Sequence, residues 1–268
     1  MEFKTVLYEK QGPIATITLN RPERLNAINR AVVGDVTAAL EDCRTDHKVR
    51  AIVLKGAGRA FCAGDDVKGD PNQGWSPPDI QERLRTGYLK IMQELFSLRK
   101  PTIAQIHGYA CGAGLDLSLA CDFRIIASDA RLAAIFVKRG LGGGGCYLLP
   151  RYVGLGKATE MLFLGEWMTA EEALRWGIAY RVVPVEELAK TVQEFAERLA
   201  SGPTRSYALI KTARNQGLGV DYLRGFEYQA YANGELILSE DAKEGPAAFR
   251  EKREPVFTGR WLGQPTIG

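Results

Sequence analysis

One stretch near the middle of the chain limits the possible folds more than any other. PTIAQIHG (residues 101–108) is strand-like, ACGAGLDLSLAC (110–121) reads as a helix opened by glycine, and DFRIIAS (122–128) is strand-like again. Strand, helix and strand in that order form a βαβ unit, which requires a parallel sheet with helices against it. Leu115, Leu117, Leu119 and Ala120 make the helix apolar almost all round, so it belongs in the interior.

The flanking segments extend the same α/β pattern. FKTVLYE and ATITLN, separated by Gln11-Gly12-Pro13, read as a hairpin. Val32, Val33, Val36, Ala39 and Leu40 recur at helical spacing, and RAIVLKG follows as a short buried strand. A turn-rich stretch, residues 71–78, precedes a helix expected from about Asp79 to Leu98, which Lys100-Pro101 stops. Thr169 with Glu172 has the form of a capping box, and RVVP is a later strand. Beyond Pro184 strand signals vanish and successive helices run to about Lys252. The expected division is an α/β core over residues 1–200 and a helical C-terminal region over 201–268.

Composition excludes more than it assigns. Hydrophobic residues at 46%, charged residues at 25% and a net charge of +3 are ordinary for a soluble globular chain. The mild basic excess could attract an anionic ligand but falls short of a nucleic-acid signature, and no Lys/Arg-rich helix appears. MEFKTVLYEK lacks the apolar core of a signal peptide, and no stretch approaches the roughly 20 apolar residues of a membrane span. Five scattered cysteines without a CxxC pair suggest neither a zinc site nor a disulfide framework, so a reducing cytoplasm is expected. His47 and His107 are too few and too far apart to suggest a metal cluster.

Chemistry concentrates in two glycine-bearing segments. Gly112, Ala113 and Gly114 let the start of a helix approach another molecule closely, and its unpaired amides favour negative charge. A thioester or enolate oxygen carries such charge, and a backbone donor aimed at it lowers a barrier by about 3–4 kcal/mol. Asp116 lies three residues after Ala113, on the same side of the helix about one turn further in. A carboxylate there is costly unless it is paired with an arginine, favoured by the helix dipole or functional. The second segment, GRAFCAGDDVK (58–68), follows a strand and ends in a tight turn. Alone it is only a turn; beside the helix start it could supply a second donor.

These segments carry a family likeness. NRPERLNA (20–27), AFCAGDD (60–66) and GYACGAGLD (108–116) resemble, in order, three signatures of the crotonase (enoyl-CoA hydratase/isomerase) superfamily. TAEEALRWGI (169–178), residues 203–211, SEDAKEG (239–245) and FREKR (249–253) continue the resemblance over nearly the whole chain. It implies a spiral of ββα units and a helical C-terminal region that drives trimerisation, often into a dimer of trimers. It implies an acyl-CoA thioester substrate, with coenzyme A part of the substrate and no separate cofactor. The oxyanion amides would come from Ala63 and Ala113, the latter standing where the family usually has glycine. The adenine and phosphates of coenzyme A would lie against Arg24, Leu25 and Ala27 and against Ala63, Gly64, Asp65 and Asp66, with Lys252 reaching the nucleotide end.

The pattern breaks at the acid/base pair. The first of the two glutamates of well-known hydratases is matched by Asp116, as in dienoyl-CoA isomerases, and the second falls at Phe136. Many relatives with phenylalanine there carry a Pro-Asp in the next loop, whereas this chain has GGGGC (142–146), shorter by about two residues and without an acid. One carboxylate can shuttle a proton between two carbons, but hydration by two groups is harder to justify. Asp65, Asp79, Glu82 and Tyr88 are candidate substitutes, read first as solvated loop charges and a packed aromatic. The expected activity is hydration or double-bond isomerisation of an enoyl-CoA, and the alternative is an acyl-CoA binder that has lost turnover. Other signals are weaker. GGGG lacks the Gly-Lys-Ser/Thr of a phosphate loop, no GxGxxG follows a strand, and no base activates Cys62, Cys111 or Cys146.

Overall fold

The computed structural model describes residues 3–66 and 76–263. The chain opens with the expected hairpin, β1 (Val6–Gln11) antiparallel to β2 (Ile14–Leu19). Helix α1 (Arg30–Thr45) is capped by Asn29, whose side chain accepts from the Val32 amide at 3.0 Å. It buries Val32, Val33, Val36, Ala39 and Leu40 and returns the chain to β3 (Ala51–Gly56), parallel beside β2.

The expected single helix from Asp79 to Leu98 is two, α2 (Pro77–Thr86) and α3 (Tyr88–Ser97). The break falls at Gly87, where a Cβ would come within 2.6 Å of the Arg83 carbonyl oxygen. Most of the turn-rich stretch before α2, residues 71–75, lies outside the described residues.

The βαβ unit forms as read: β4 (Thr102–Ile106), β5 (Tyr109–Cys111), α4 (Ala113–Ala120) and β6 (Phe123–Ala127), with β4 and β6 parallel neighbours. All eight residues of α4 are buried, as its apolar circumference requires. Next come β7 (Arg131–Ala133), α5 (Leu149–Leu164), β8 (Met168–Thr169), α6 (Ala170–Arg175) and β9 (Arg181–Val183). The capping box holds α6: Thr169 Oγ1 accepts from the Glu172 amide, and the Glu172 carboxylate accepts from the Thr169 amide.

Strands β1-β2-β3-β4-β6-β9 make one wall, parallel after the hairpin, and β5-β7-β8 make a second. Residue 62 extends the second wall through a parallel bridge between Cys62 and Ala110. Successive strand–strand–helix units thus wind as a spiral, with one apolar core between the walls and α1, α3 and α4. A second core forms where α7 (Leu188–Ser201) lays Val192, Phe195 and Leu199 on the other face of the main sheet.

Helices α8 (Thr204–Gly217), α9 (Tyr222–Leu236) and α10 (Asp241–Glu251) complete the chain. Buried Lys211 of α8 donates to Asp122 at 2.8 Å and Arg214 does so at 2.9 Å, fastening α8 to the entry of β6. Tyr222, Phe226 and Phe249, by contrast, stand exposed on α9 and α10. Among the described residues no helix is long and apolar enough to cross a membrane.

Candidate active site

Both glycine-bearing segments emerge beyond the C-terminal ends of parallel strands, 60–66 after β3 and 108–114 after β4, which is where open α/β sheets place ligands. They pack against each other without side chains between them. A Cβ on Gly114 would meet the Cys62 carbonyl oxygen at 2.2 Å, and one on Gly64 would meet the Cys111 carbonyl oxygen at 2.9 Å. Glycine at these two positions is therefore a condition of the approach. Gly112, at φ 54° and ψ −127°, turns the chain into α4 in a backbone region that glycine tolerates best.

A third segment clasps the first. After the short turn Pro22–Arg24, Leu25 and Asn26 are both left-handed, at φ 48° and 57°. Buried Asn26 accepts from the Arg21 amide and donates to the carbonyls of Ala57 and Ala60, both at 2.8 Å. Arg21 reaches across to the Ala27 carbonyl and to Asp66, at 2.9 Å from its carboxylate. Leu25, Ala27, Ala63, Gly64, Asp65 and Asp66 are thereby brought together, with Arg24 exposed beside them. Lys252 is not brought to them: it is the exposed, left-handed cap of α10 and does not line the cleft.

The amide expected from Ala63 is already spent, because it donates to the Leu25 carbonyl at 2.9 Å. The unpaired amide of this segment is that of Asp65. Ile28 donates to Gly64 O and accepts from Asp66 N, each at 2.8 Å, and in such a parallel bridge the intervening residue's own N–H faces the other way. Ala113 is the first residue of α4, where helix geometry leaves its amide without an internal acceptor. Among the described residues, neither amide has a hydrogen-bond acceptor.

Asp65 and Ala113 both line a cleft of about 360 Å³. Tyr88, Leu84 and Ile80 from α2 and α3 form one side, and Ile135, Phe136 and Leu141 the other. Asp65 ion-pairs with Arg83 at 2.5 Å across the mouth; burial nonetheless leaves its carboxyl above the usual range, with Arg83 opposing the rise. Of the proposed substitutes for the missing acid, Asp79 is consumed in capping α2 and Glu82 is exposed beside Arg85. Tyr88 does line the cleft. Burial, with Asp116 and Asp65 nearby, raises its phenol well above the ordinary value, so it remains a hydroxyl.

Asp116 lies behind this wall, 2% exposed. Among the described residues no lysine or arginine pairs with it; the one donor to its carboxylate is the Gly145 amide, at 3.1 Å. Burial pushes its carboxyl up to about 7, and the single hydrogen bond only partly opposes that rise. The glycine loop supplies that donor by a left-handed path, with positive φ at Gly140, Gly143 and Gly145. Phe136 packs its ring on Gly144, where a Cβ would come within 2.1 Å of it. Burial holds the thiols up, Cys62 to about 12 and Cys111 to about 11, so neither is a thiolate nucleophile near neutrality. Among the described residues no group of His, Cys, Asp and Glu is placed to hold a metal ion.

A sequence model described as enoyl-CoA hydratase/isomerase matches residues 9–260. The chain belongs to the enoyl-CoA hydratase/isomerase family. Among its relatives, a Rhodobacter capsulatus protein named "Probable enoyl-CoA hydratase" is 39% identical over 262 residues, covering 97% of this chain and 100% of its own. The 1,2-epoxyphenylacetyl-CoA isomerase of Escherichia coli is 38% identical over 267 residues, with 97% and 100% covered. The crystal structure of an enoyl-CoA hydratase from Bacillus anthracis superposes with a TM-score of 0.89 at 32% identity, covering 96% of this chain and 100% of that one. The spiral of strand–strand–helix units is thus the fold of this family, the crotonase fold, and the protein is an enzyme of the hydratase/isomerase type.

Sequence reasoning had missed three features of this family member: the Asp65 amide, the Gly145 amide and the Arg21–Asn26 clasp. Only the last left a signal, in an Asn-Arg-Pro turn followed by an Asn that has more hydrogen-bond groups than a turn needs.

Proposed function

We propose that the protein binds an acyl-CoA thioester with its carbonyl oxygen between the amides of Asp65 and Ala113, and that Asp116 alone moves the proton. As a proton leaves the carbon beside the carbonyl, negative charge gathers on the thioester oxygen, where two fixed N–H dipoles stabilise it. Asp116 accepts that proton and returns it to the other end of the conjugated system, so the double bond moves and nothing is gained or lost. The observation that carries this reading is the state of Asp116: buried, without a cationic partner and pushed up to about 7. A group with that value takes and gives protons with similar ease near neutral pH.

Phe136, in the lining of the cleft, offers no second proton carrier, which favours isomerisation over addition of water. The Tyr88 hydroxyl, kept protonated, is a polar group of the cleft available to the acyl portion, beside the charged Asp65, Arg83 and Arg139. Arg24, Leu25 and Ala27, with residues 63–66, would hold the nucleotide end of coenzyme A, which enters as part of the substrate. Lys252 could reach that end only from another copy of the chain or after rearrangement of the tail. The exposed aromatic residues of α9 and α10 are the surface for assembly into a trimer, or a dimer of trimers.

Deuterium incorporation beside the carbonyl, followed by mass spectrometry on a panel of acyl- and enoyl-CoA thioesters in heavy water, tests the reading. Wild type should exchange on some members of the panel, and Asp116→Asn on none. Equal exchange in both removes Asp116 from the mechanism. Tight binding with no exchange by wild type on any substrate supports the alternative, a binder that has lost turnover.

A further inference from the structure

The acyl-CoA cleft opens where the parallel strands end; a second cavity lies where they begin. Arg50 precedes β3 and Lys100 precedes β4, and both line a space of about 230 Å³ together with Arg44, His47, Arg99 and Arg205. The hydroxyl-bearing Thr204 and Thr258 complete the polar wall, and none of the described lining residues is acidic.

Apart from Arg44, the cations here are held but not neutralised. Arg44 has carboxylate partners in Glu41 and Glu94. Arg50 donates to Thr204 Oγ1 at 3.0 Å and to the carbonyls of Phe257 and Gly202 at 3.0 and 2.7 Å. Lys100 donates to the carbonyls of Cys43 and Asp46, at 2.5 and 2.7 Å. Arg205 donates through Nε to the Gly259 carbonyl at 2.8 Å and lies 4.9 Å over the Trp261 ring. Among the described residues none of these three touches a carboxylate. That leaves one donor of Lys100, the Nη groups of Arg205 and the whole exposed guanidinium of Arg99 without an acceptor among the described residues. The N-terminus of α8 begins at Thr204 in the same wall and adds unpaired amides.

We propose that this cavity is a binding site for a polyvalent oxyanion of the phosphate class, separate from the acyl-CoA cleft. Forked guanidiniums and an ammonium around one space match several oxygens of a tetrahedral anion better than a single carboxylate. Partly buried cations resting on neutral oxygens are costly, and a multiply charged anion repays that cost. The titration behaviour agrees. Burial pushes Lys100 down to about 8 and also lowers Arg50 and Arg205, with Asp241 opposing the last two shifts and Arg99 adding to that of Arg205. Bound anion would also tie the strand beginnings to the strap at residues 257–259, which Arg50 and Arg205 already grip. The phosphate could be a free ion or one end of a nucleotide.

Calorimetric titration and phosphorus NMR with inorganic pyrophosphate, inorganic phosphate and adenosine 3′,5′-bisphosphate test the site on the full chain. Pyrophosphate should bind wild type in the presence of saturating acyl-CoA and raise its melting temperature. Arg99→Gln, which alters an exposed side chain, should weaken that binding several-fold, and Arg99→Gln with Arg205→Gln at least tenfold, while acyl-CoA binding stays as in wild type. A bisphosphate that also binds beside acyl-CoA, more tightly than pyrophosphate and with the same sensitivity to both arginines, identifies a nucleotide as the source. The reverse ranking identifies the free ion. Displacement of pyrophosphate by acyl-CoA, binding unchanged in both variants, or no binding at millimolar pyrophosphate overturns the proposal.

Discussion

Asp116→Asn separates the cost of the buried carboxyl from its use. Asparagine keeps the size of the side chain and cannot ionise. In the folded protein the Asp116 carboxyl sits at about 7, against 3.8 for an ordinary aspartate. A gap of about three units at 1.36 kcal/mol each is roughly 4 kcal/mol between neutral and ionised forms. The sign follows from proton binding. Between those two values the folded chain holds a proton that the unfolded chain has released, so stability falls as pH rises. The contribution is whole below about pH 3.8 and gone above about pH 7. From pH 5 to pH 8 wild type should therefore lose about 2–3 kcal/mol that the variant does not lose. Urea unfolding of both proteins at these two pH values and one protein concentration gives the double difference, in which all other carboxylates cancel. The variant should be the more stable at pH 8 and catalytically silent, as expected where a functional group is held at a cost to the fold. Parallel pH dependences in the two proteins would refute the assignment of a neutral-range carboxyl to Asp116.

Two further substitutions test the rest of the site. Gly114→Ala would put a methyl group 2.2 Å from the Cys62 carbonyl oxygen, forcing the two amide-bearing segments apart. Turnover should fall by about 100- to 1,000-fold, the usual effect of losing one oxyanion donor, while circular dichroism stays native; unchanged turnover would mean that the approach of these segments is not needed. Phe136→Glu places an acid in the lining of the cleft. Gain of water addition to a short enoyl-CoA, followed by loss of enoyl absorbance, is expected, and no gain would show that something other than the missing acid sets the reaction.

The frame of the fold was legible because its signals are local and periodic. The hairpin turn at residues 11–13, the capping box at Thr169 and Glu172, and the βαβ pattern around α4 each rest on short-range chemistry. Gly87 hid in a helical run because glycine there reads as a weak residue, and only the Arg83 carbonyl makes it a break. The site was legible as two segments but not as two atoms. Which amide is free depends on where its neighbours' hydrogen bonds go, and Ala63 lost its place to a partner, Leu25, 38 positions away. Lys252 stays outside the cleft lining for a related reason: a motif in the sequence does not fix which surface a tail residue faces once α10 ends in a left-handed cap.

The glycine loop ties these observations together. A loop with no acid looks, in sequence, like the loss of a catalytic group. In three dimensions it is the sole protein donor, among the described residues, to the remaining group, and the number of donors sets that group's character. A carboxylate accepting two or three amide hydrogen bonds is held far below neutrality and makes a poor proton carrier at pH 7. With one donor from Gly145 and apolar surroundings, burial prevails and the value climbs to about 7. Residues 140–145 reach that single-donor arrangement through three left-handed glycines and leave Phe136 packed against Gly144. On the proposed reading, the loop that carries no second acid also tunes Asp116 to work alone.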